Sequence, residues 1–236
     1  MVGPKAWVSK RALVLLSGGQ DSTTALYWAG DRFHEVEAIS FDYGQRHERE
    51  LESARVIASR ADVVRHELVP VASLRHLGGS GLTDPEQSVR DLGPDALPTS
   101  FVPGRNLLFL IVAAAYAYRR QIDQVVMGVC QTDFSGYPDC RDGAIKAMQV
   151  ALQIGLGRAL TIHTPLMWLS KAETVRLAET LPGCRAALAW SHTCYEGAYP
   201  PCGTCPACVI RARGFSEAGV PDPLIARADA EGLVRA

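Results

Sequence analysis

The segment at residues 16–23 carries the densest set of groups that could hold an anion. It reads Leu-Ser-Gly-Gly-Gln-Asp-Ser-Thr and follows a short apolar run at 12–16. Adjacent glycines permit positive φ angles and a close backbone approach to a ligand, and backbone N–H groups at a helix N-terminus cradle phosphate oxygens. Its hydroxyls could add donors, and Asp21 suits a magnesium ion or a helix cap. The alternative is an ordinary Gly-Gly turn with capping residues.

No lysine follows Gly19 within reach of such a cradle. The motif G-x-x-x-x-G-K-[ST] places a lysine against the β- and γ-phosphates of a nucleotide. Transfer of the γ-phosphate, as in a kinase, is therefore not expected here.

Four of the 7 cysteines lie close together near the C-terminus. They are Cys194, Cys202, Cys205 and Cys208. Four thiolates at this spacing, with Gly203 and Pro206 at the turns, could close tetrahedrally on one zinc ion, although the spacing also suits an iron–sulfur cluster. Four protein ligands leave no open coordination position, so a zinc ion here would be structural. We expect His192 to be a hydrogen-bonding neighbour. The other three cysteines should be free thiols, because an odd total without an export signal argues against disulfides.

Three other polar stretches carry groups that could contact a ligand. The segment at 41–47 follows a predicted strand, and Arg105 opens an apolar helix on the side of the proposed anion site. The segment at 133–141 combines aromatic, acidic and basic side chains that could read the edge of a heterocycle. Lys171 occupies a position that is usually on a helix surface. Charged loops are usually solvated, so none of these stretches identifies a site by itself.

Alternating strands and helices must position these groups. The hydrophobic pattern predicts strands at 12–16, 36–41, 63–69, 124–129 and 160–163. It predicts helices at 22–29, 48–60, 106–119, 144–154, 170–179 and 206–218, of which the fifth opens with a capping-box pattern at Ser170 and Glu173. This alternation indicates a parallel sheet covered on both faces. Ligands bind such sheets beyond the carboxyl ends of the strands, where the strand order reverses. The stretch at 72–100 has no clear periodicity and is expected to be functional or mobile.

Composition excludes several classes of function. The 24 basic and 25 acidic residues give a net charge of -1 at pH 7, so no polyanion is expected as an obligate partner. No uncharged apolar stretch approaches the roughly 20 residues that span a bilayer, and no export signal is recognisable at the start. We therefore expect a cytoplasmic protein.

Six motifs in chain order resemble those of the 7-cyano-7-deazaguanine synthases, a family of pyrophosphate-loop ATPases. They are LLSGGQDSTTALYWA, EAISFDYGQRHERELESA, VPGRNLLFL, DFSGYPDCR, TPLMWLSKAETVRLA and CYEG followed by PCGTCPACVIRARGF. The resemblance runs from near residue 11 to about 223 and leaves out much of 72–100. Other adenylating enzymes with a similar glycine loop lack this set.

The resemblance implies an α/β fold similar to the adenine nucleotide alpha hydrolases. Its core would be a Rossmann-like parallel sheet of about five strands with helices on both faces. A pyrophosphate-loop nucleotide-binding domain would cover 1–180. A small zinc-binding helical region at 181–236 would pack on it.

The implied reaction converts 7-carboxy-7-deazaguanine and ammonia to 7-cyano-7-deazaguanine, a precursor of queuosine-type tRNA bases. ATP would adenylate first the acid and then the amide, with Mg²⁺ as the metal cofactor and Zn²⁺ as a structural ion. The implied ATP-binding residues are Leu16, Ser17, Gly18, Gly19, Gln20, Asp21, Ser22 and Thr23. The implied catalytic residues are Asp21, Arg105 and Lys171. The expected contacts to the deazaguanine are Tyr43, Gln45, Arg46, His47, Asp133, Tyr137, Asp139 and Arg141.

The implied partners are small molecules, with no nucleic acid or membrane and, as one option, a second copy of the chain. Free ammonium is the simpler nitrogen source, because no cysteine lies in a recognisable amidotransferase context. One alternative is a pyrophosphate-loop enzyme that modifies tRNA directly by thiolation. The other is a non-catalytic zinc-ribbon interaction module. Neutral net charge and the lack of a basic, aromatic-rich tract argue against the first, and the second leaves the first 180 residues unexplained.

Overall fold

A parallel β-sheet forms the centre of the computed structural model, which describes residues 9–71, 73–84, 86–93, 97–132 and 136–233. Within these residues the sheet has five strands in the order β3-β2-β1-β4-β5. The strands are β1 (Ser9–Leu15), β2 (Phe33–Asp42), β3 (Arg65–Pro70), β4 (Gln124–Met127) and β5 (Thr161–His163). All four pairings are parallel. The predicted fold class is confirmed.

Helices cover both faces of the sheet, because successive residues of a strand point to opposite sides. Leu13 and Leu15 of β1 belong to a core cluster with residues of the helices Arg105–Arg120 and Asp142–Leu156. Ala12 and Val14 belong to a second cluster with residues of the helices Gln20–Arg32 and Arg49–Arg60. The helices are α1 (Gln20–Arg32), α2 (Arg49–Arg60), α3 (Ser73–Leu77), α4 (Arg105–Arg120), α5 (Asp142–Leu156), α6 (Lys171–Thr180), α7 (Cys184–Leu188), α8 (Pro206–Ala218) and α9 (Pro223–Ala230).

The predicted elements are present with small shifts at their ends, and the capping box at Ser170 and Glu173 forms at the start of α6. Within the described residues, three short α-helices, α3, α7 and α9, were not predicted, and neither was a 3-10 helix at Pro138–Cys140. Of these, α9 carried a readable signal, because Asp222 caps it by accepting a hydrogen bond from the Leu224 N–H, and Pro223 opens it. The stretch at 72–100 has no periodicity that predicts an element, yet α3 lies there and Leu82 and Val89 are buried in the core.

The C-terminal helices pack on the body of the protein. Val175 and Ala178 of α6 share a hydrophobic cluster with Cys184, Leu188 and Phe215. This cluster spans the boundary predicted between residues 180 and 181, and the division into two regions stays a prediction. None of the described helices has the length and apolar character needed to cross a membrane.

Candidate functional site

The strand order reverses between β1 and β4, and two loops meet there. The segment after β1 turns into α1, and Gly128 follows β4. A Cβ atom on Gly128 would lie 2.8 Å from the carbonyl carbon and oxygen of Asp21, so only glycine allows this approach. Gly18 has φ +89°, and a Cβ there would lie 2.2 Å from the Glu50 carbonyl oxygen. These two glycines bring the start of α1 against β4 and α2.

The loop after β1 is held by its own hydroxyl groups. The Ser17 and Ser22 hydroxyl oxygens lie 3.0 Å apart, and the Ser17 N–H donates to the Ser22 hydroxyl at 3.2 Å. Thr23 is fully buried and donates its hydroxyl to the Gly19 carbonyl at 2.7 Å. These bonds fix the backbone N–H groups at the start of α1 in place. Such an arrangement can cradle an anion.

A cavity of about 270 Å³ lies over this loop. Eleven sequence-predicted residues line it: Leu16, Ser17, Gly19, Gln20, Asp21, Ser22, Tyr43, Gln45, Arg105, Tyr137 and Lys171. These residues come from the segments after β1 and β2 and from α4, α6 and the segment before α5. Polar segments that follow different strands therefore converge at one edge of the sheet, where parallel sheets bind their ligands.

The cavity holds an ion pair between two helix starts. Lys171, at the first position of α6, donates to Asp21 Oδ2 at 2.7 Å. Gly214 of α8 leaves room for this lysine, because a Cβ at Gly214 would lie 2.4 Å from Lys171 Cγ. The second oxygen, Asp21 Oδ1, is buried and has no hydrogen-bond partner within the described residues. A buried, unpartnered carboxylate oxygen beside an anion cradle fits a divalent cation.

Arg105 opens α4 on the opposite side of the cavity. Its Nη1 donates to the Tyr43 hydroxyl at 3.3 Å, and its guanidinium lies 5.6 Å from the Tyr43 ring centre and 5.9 Å from that of Tyr137. Burial raises the pKa of Tyr43 to about 12, so this phenol is neutral at pH 7. The Asp139 carboxylate accepts the Asn106 N–H at 3.0 Å and so anchors the start of α4.

The structure adds Glu50 to the site. It lies in the first turn of α2 and lines the cavity, and burial raises its pKa to about 7 against the opposing effect of Arg105. The helix is charged, and Glu48 and Glu52 are exposed. Helical periodicity was the available signal. Position 50 precedes the buried positions 54, 57 and 58 by four, seven and eight residues, which puts it on the inward face.

The remaining predicted residues do not line the cavity, and Asp133 lies outside the described residues. Arg46 lies 3.5 Å from the Glu196 carboxylate, and the His47 ring packs edge-on against His192. Arg141 is exposed just before α5. Gly18, Thr23 and Asp139 stabilise the loop and helix starts described above.

The four clustered cysteines bring their sulfur atoms within 4.8 Å of one another. Cys202 Sγ and Cys208 Sγ are 3.9 Å apart, close to the edge of about 3.8 Å that a tetrahedron with Zn–S bonds of about 2.3 Å requires. The Cys205 N–H donates to Cys202 Sγ at 3.3 Å and would stabilise a thiolate. These donors could hold a zinc ion.

The cysteine segment also forms part of the cavity wall. Thr193 and Tyr195, on either side of Cys194, line the cavity together with Ala207. The His192 N–H donates to the Gly18 carbonyl at 2.9 Å and ties this segment to the loop after β1. The cysteine cluster and the cavity are therefore parts of one structure.

Comparison with known proteins gives consistent matches. The family model of queuosine biosynthesis protein QueC matches residues 11–219. A 7-cyano-7-deazaguanine synthase of Chromobacterium violaceum is 58% identical over 95% of this chain and 97% of its own length. One of Laribacter hongkongensis is 58% identical over 92% of this chain and 95% of its own. A solved 4-thiouridine synthetase in complex with RNA and bound ATP has a TM-score of 0.50 at 17% identity, covering 88% of this chain and 53% of that protein. At this identity the structural likeness concerns the fold.

Proposed function

The chain belongs to the QueC family of queuosine biosynthesis proteins, and on this premise we propose that it converts 7-carboxy-7-deazaguanine, ammonia and ATP to 7-cyano-7-deazaguanine. One observation carries the proposal. A single cavity joins an anion cradle at the start of α1 to an aromatic surface that holds a guanidinium. A nucleotide phosphate fits the first, and a carboxylated heterocycle fits the second.

The chemistry needs two activations of the same carbon. A carboxylate is a poor electrophile, so one of its oxygens attacks the α-phosphate of ATP and pyrophosphate leaves. Ammonia then displaces AMP to form the amide. The amide oxygen attacks a second ATP, and AMP leaves again as the C≡N bond forms. Both oxygens of the acid thus depart in AMP. Positioning and charge stabilisation do most of the catalysis in such phosphate displacements.

The loop after β1 would hold the phosphates that depart. Ser17, Gly19 and Ser22 of this loop line the cavity, with Leu16 and Gln20 beside them. Lys171 would supply the positive charge that this loop lacks. Its distance of 2.7 Å from Asp21 puts that charge beside the loop. Asp21 would hold Mg²⁺ through its unpartnered oxygen, and the ion would neutralise charge on the phosphate oxygens.

The opposite wall would hold the heterocycle. Tyr43 and Tyr137 offer ring faces for stacking, and Gln45 lies beside them. Arg105 would face the substrate carboxylate, since a guanidinium pairs well with a planar anion. Arg46, His47 and Asp139 would position these loops, because they contact other protein groups. Contacts from Arg141 and Asp133 stay predictions.

The cysteine cluster would hold a structural Zn²⁺. Its four thiols leave no position for a substrate, and the segment around them completes the cavity wall. The other proposed partners are free ammonium and ATP, without nucleic acid, in a cytoplasmic enzyme. The alternative of tRNA thiolation gains no support from the family match.

A homodimer would use the outer faces of α4 and α5, which pack against each other. Ile111 and Tyr118 on α4 and Val150 and Ile154 on α5 are all about half exposed or more. Lys146 on this side of α5 is paired within its own helix with Asp142. A largely apolar face of this kind can pair with its own copy around a two-fold axis.

Incubation with 7-carboxy-7-deazaguanine, ammonium and Mg-ATP tests the proposed function. We expect mass spectrometry to detect the nitrile, and chromatography to detect AMP and pyrophosphate. Omitting the deazaguanine should abolish AMP formation. Absence of the nitrile would overturn the proposed reaction, and ADP in place of AMP would overturn its mechanism.

A further inference from the structure

Glu50 places a carboxylate in the wall of the cavity. Within the described parts of the chain its carboxylate makes no hydrogen bond or ion pair, although Arg105 is near enough to oppose the rise of its pKa. Glu48 and Glu52 on the same helix are exposed to solvent. Glu50 itself is only partly exposed, and a carboxylate that loses part of its hydration is stabilised by hydrogen-bond donors. A ligand in the cavity can provide those donors.

The surroundings of Glu50 suit an aromatic heterocycle. Tyr43, Phe109 and Tyr195 line the same cavity, and Arg105 lies against the Tyr43 ring. The wall therefore presents aromatic rings together with a carboxylate that only accepts hydrogen bonds in its ionised form and a guanidinium that only donates them. Glu50 and Arg105 together favour a ligand that carries its hydrogen-bond donors at one end of an edge and its acceptors at the other end.

The edge of 7-carboxy-7-deazaguanine has this order. Its 2-amino group and N1–H are adjacent donors. The 6-oxo oxygen and the 7-carboxylate follow as adjacent acceptors, because positions 6 and 7 of the fused ring face the same side. Adenine has the opposite pattern, with an acceptor at N1 and a donor at the 6-amino group. A carboxylate that reads the donor pair would favour the deazaguanine and disfavour adenine.

We propose that Glu50 accepts hydrogen bonds from N1–H and the 2-amino group of the substrate, while Arg105 faces its 6-oxo and 7-carboxylate oxygens. Glu50 would thereby select 2-amino-6-oxo heterocycles for this side of the cavity and keep adenine from it. The inference rests on the proposed function and adds to it the residue that determines specificity.

The test compares Glu50→Gln with Glu52→Gln, a change of the same kind at an exposed position of the same helix. Each variant is assayed with 7-carboxy-7-deazaguanine and with its analogue that lacks the 2-amino group. We expect the wild type to prefer the amino compound by about 10- to 100-fold in kcat/KM, the range for a bidentate contact to a base edge. Glu50→Gln should raise KM for the amino compound and reduce this preference to a few-fold. KM for ATP should not change, and Glu52→Gln should behave as the wild type.

The outcomes separate this inference from the proposed function. If the wild type forms no nitrile, the proposed function fails. If the wild type forms it and Glu50→Gln keeps the same KM and preference, the role of Glu50 fails while the function stands. An equal loss with both substrates and with ATP would indicate a purely structural role and would also overturn the inference. If Glu50→Gln does not fold, equilibrium dialysis of the wild type measures its affinity for the two compounds. Tighter binding of the amino compound is expected, and equal affinity would overturn the role of Glu50.

Discussion

At the scale of single residues, the site depends on contacts between side chains far apart in the chain. Lys171 and Asp21 are 150 positions apart, yet they form a 2.7 Å ion pair at the starts of two helices. The sequence motif after β1 has no lysine, and α6 delivers one to the same place. The unpartnered oxygen of Asp21 remains available for a cation. Positive charge at this loop thus comes from a different element of the fold.

Replacing Lys171 with methionine should lower kcat by about 100- to 1,000-fold, the range for loss of one charged group that stabilises a transition state. The side-chain volume is nearly kept, but Asp21 loses its partner, so the melting temperature should also fall and kcat is measured well below the unfolding range of the variant. Steady-state release of AMP measures the effect. Lys146→Met is the control for loss of a lysine charge, because Lys146 is exposed on α5, does not line the cavity and pairs with Asp142 of its own helix. Retention of more than a third of the wild-type rate by Lys171→Met would remove this lysine from the catalytic set.

At the scale of secondary-structure elements, the C-terminal segment links the cysteine cluster to the cavity. It carries the cysteine cluster, contributes Thr193 and Tyr195 to the cavity, and binds the Gly18 carbonyl through the His192 N–H. Loss of a metal at the cysteines should therefore disturb the nucleotide site as well as the fold.

Cys205→Ser tests this connection. Zinc content, measured by plasma emission spectrometry, should fall from about one ion per chain to below about one-fifth, because a fully buried thiolate ligand is lost. The free energy of unfolding in urea should fall by about 3 kcal/mol or more, and KM for ATP should rise. Thr204→Ser, at the neighbouring exposed position, should keep zinc and stability. Full zinc content in folded Cys205→Ser would contradict a four-thiolate site.

At the scale of the whole molecule, much of the fold followed from sequence periodicity, and much of the site did not. The buried strand β1 and the apolar helix α4 were predicted because their hydrophobic residues form a recognisable pattern in the local sequence. The edge of the sheet at which the site lies also followed, because parallel sheets bind ligands beyond the carboxyl ends of their strands, whereas the strand order itself was not predicted. Glu50 was not predicted: helical periodicity places it on the inward face of α2, but the sequence does not show that this end of the face meets a cavity. Arg46 and Arg141 each lie in a motif that also contains cavity residues, yet neither of them lines the cavity.

The apolar outer face of α4 and α5 predicts a dimer at this same scale. Wild-type protein should elute in light scattering with twice the protomer mass of 25.5 kDa. Ile154→Glu should give a monomer, because Ile154 is 77% exposed in the single chain and a buried glutamate there would lack a partner. Leu77→Glu on α3, at a position 78% exposed, is the control and should remain a dimer. A monomeric wild type, or a dimeric Ile154→Glu variant, would contradict this interface.

The central claim is that one site adenylates the acid and then the amide, and isotope tracing tests it most directly. Both carboxylate oxygens of the substrate would be ¹⁸O, and the products would be separated and analysed for the label by mass spectrometry. We predict two AMP per nitrile, each with one ¹⁸O, and unlabelled pyrophosphate. Label in inorganic phosphate together with ADP, or unlabelled AMP with the label in water, would contradict this account of the site.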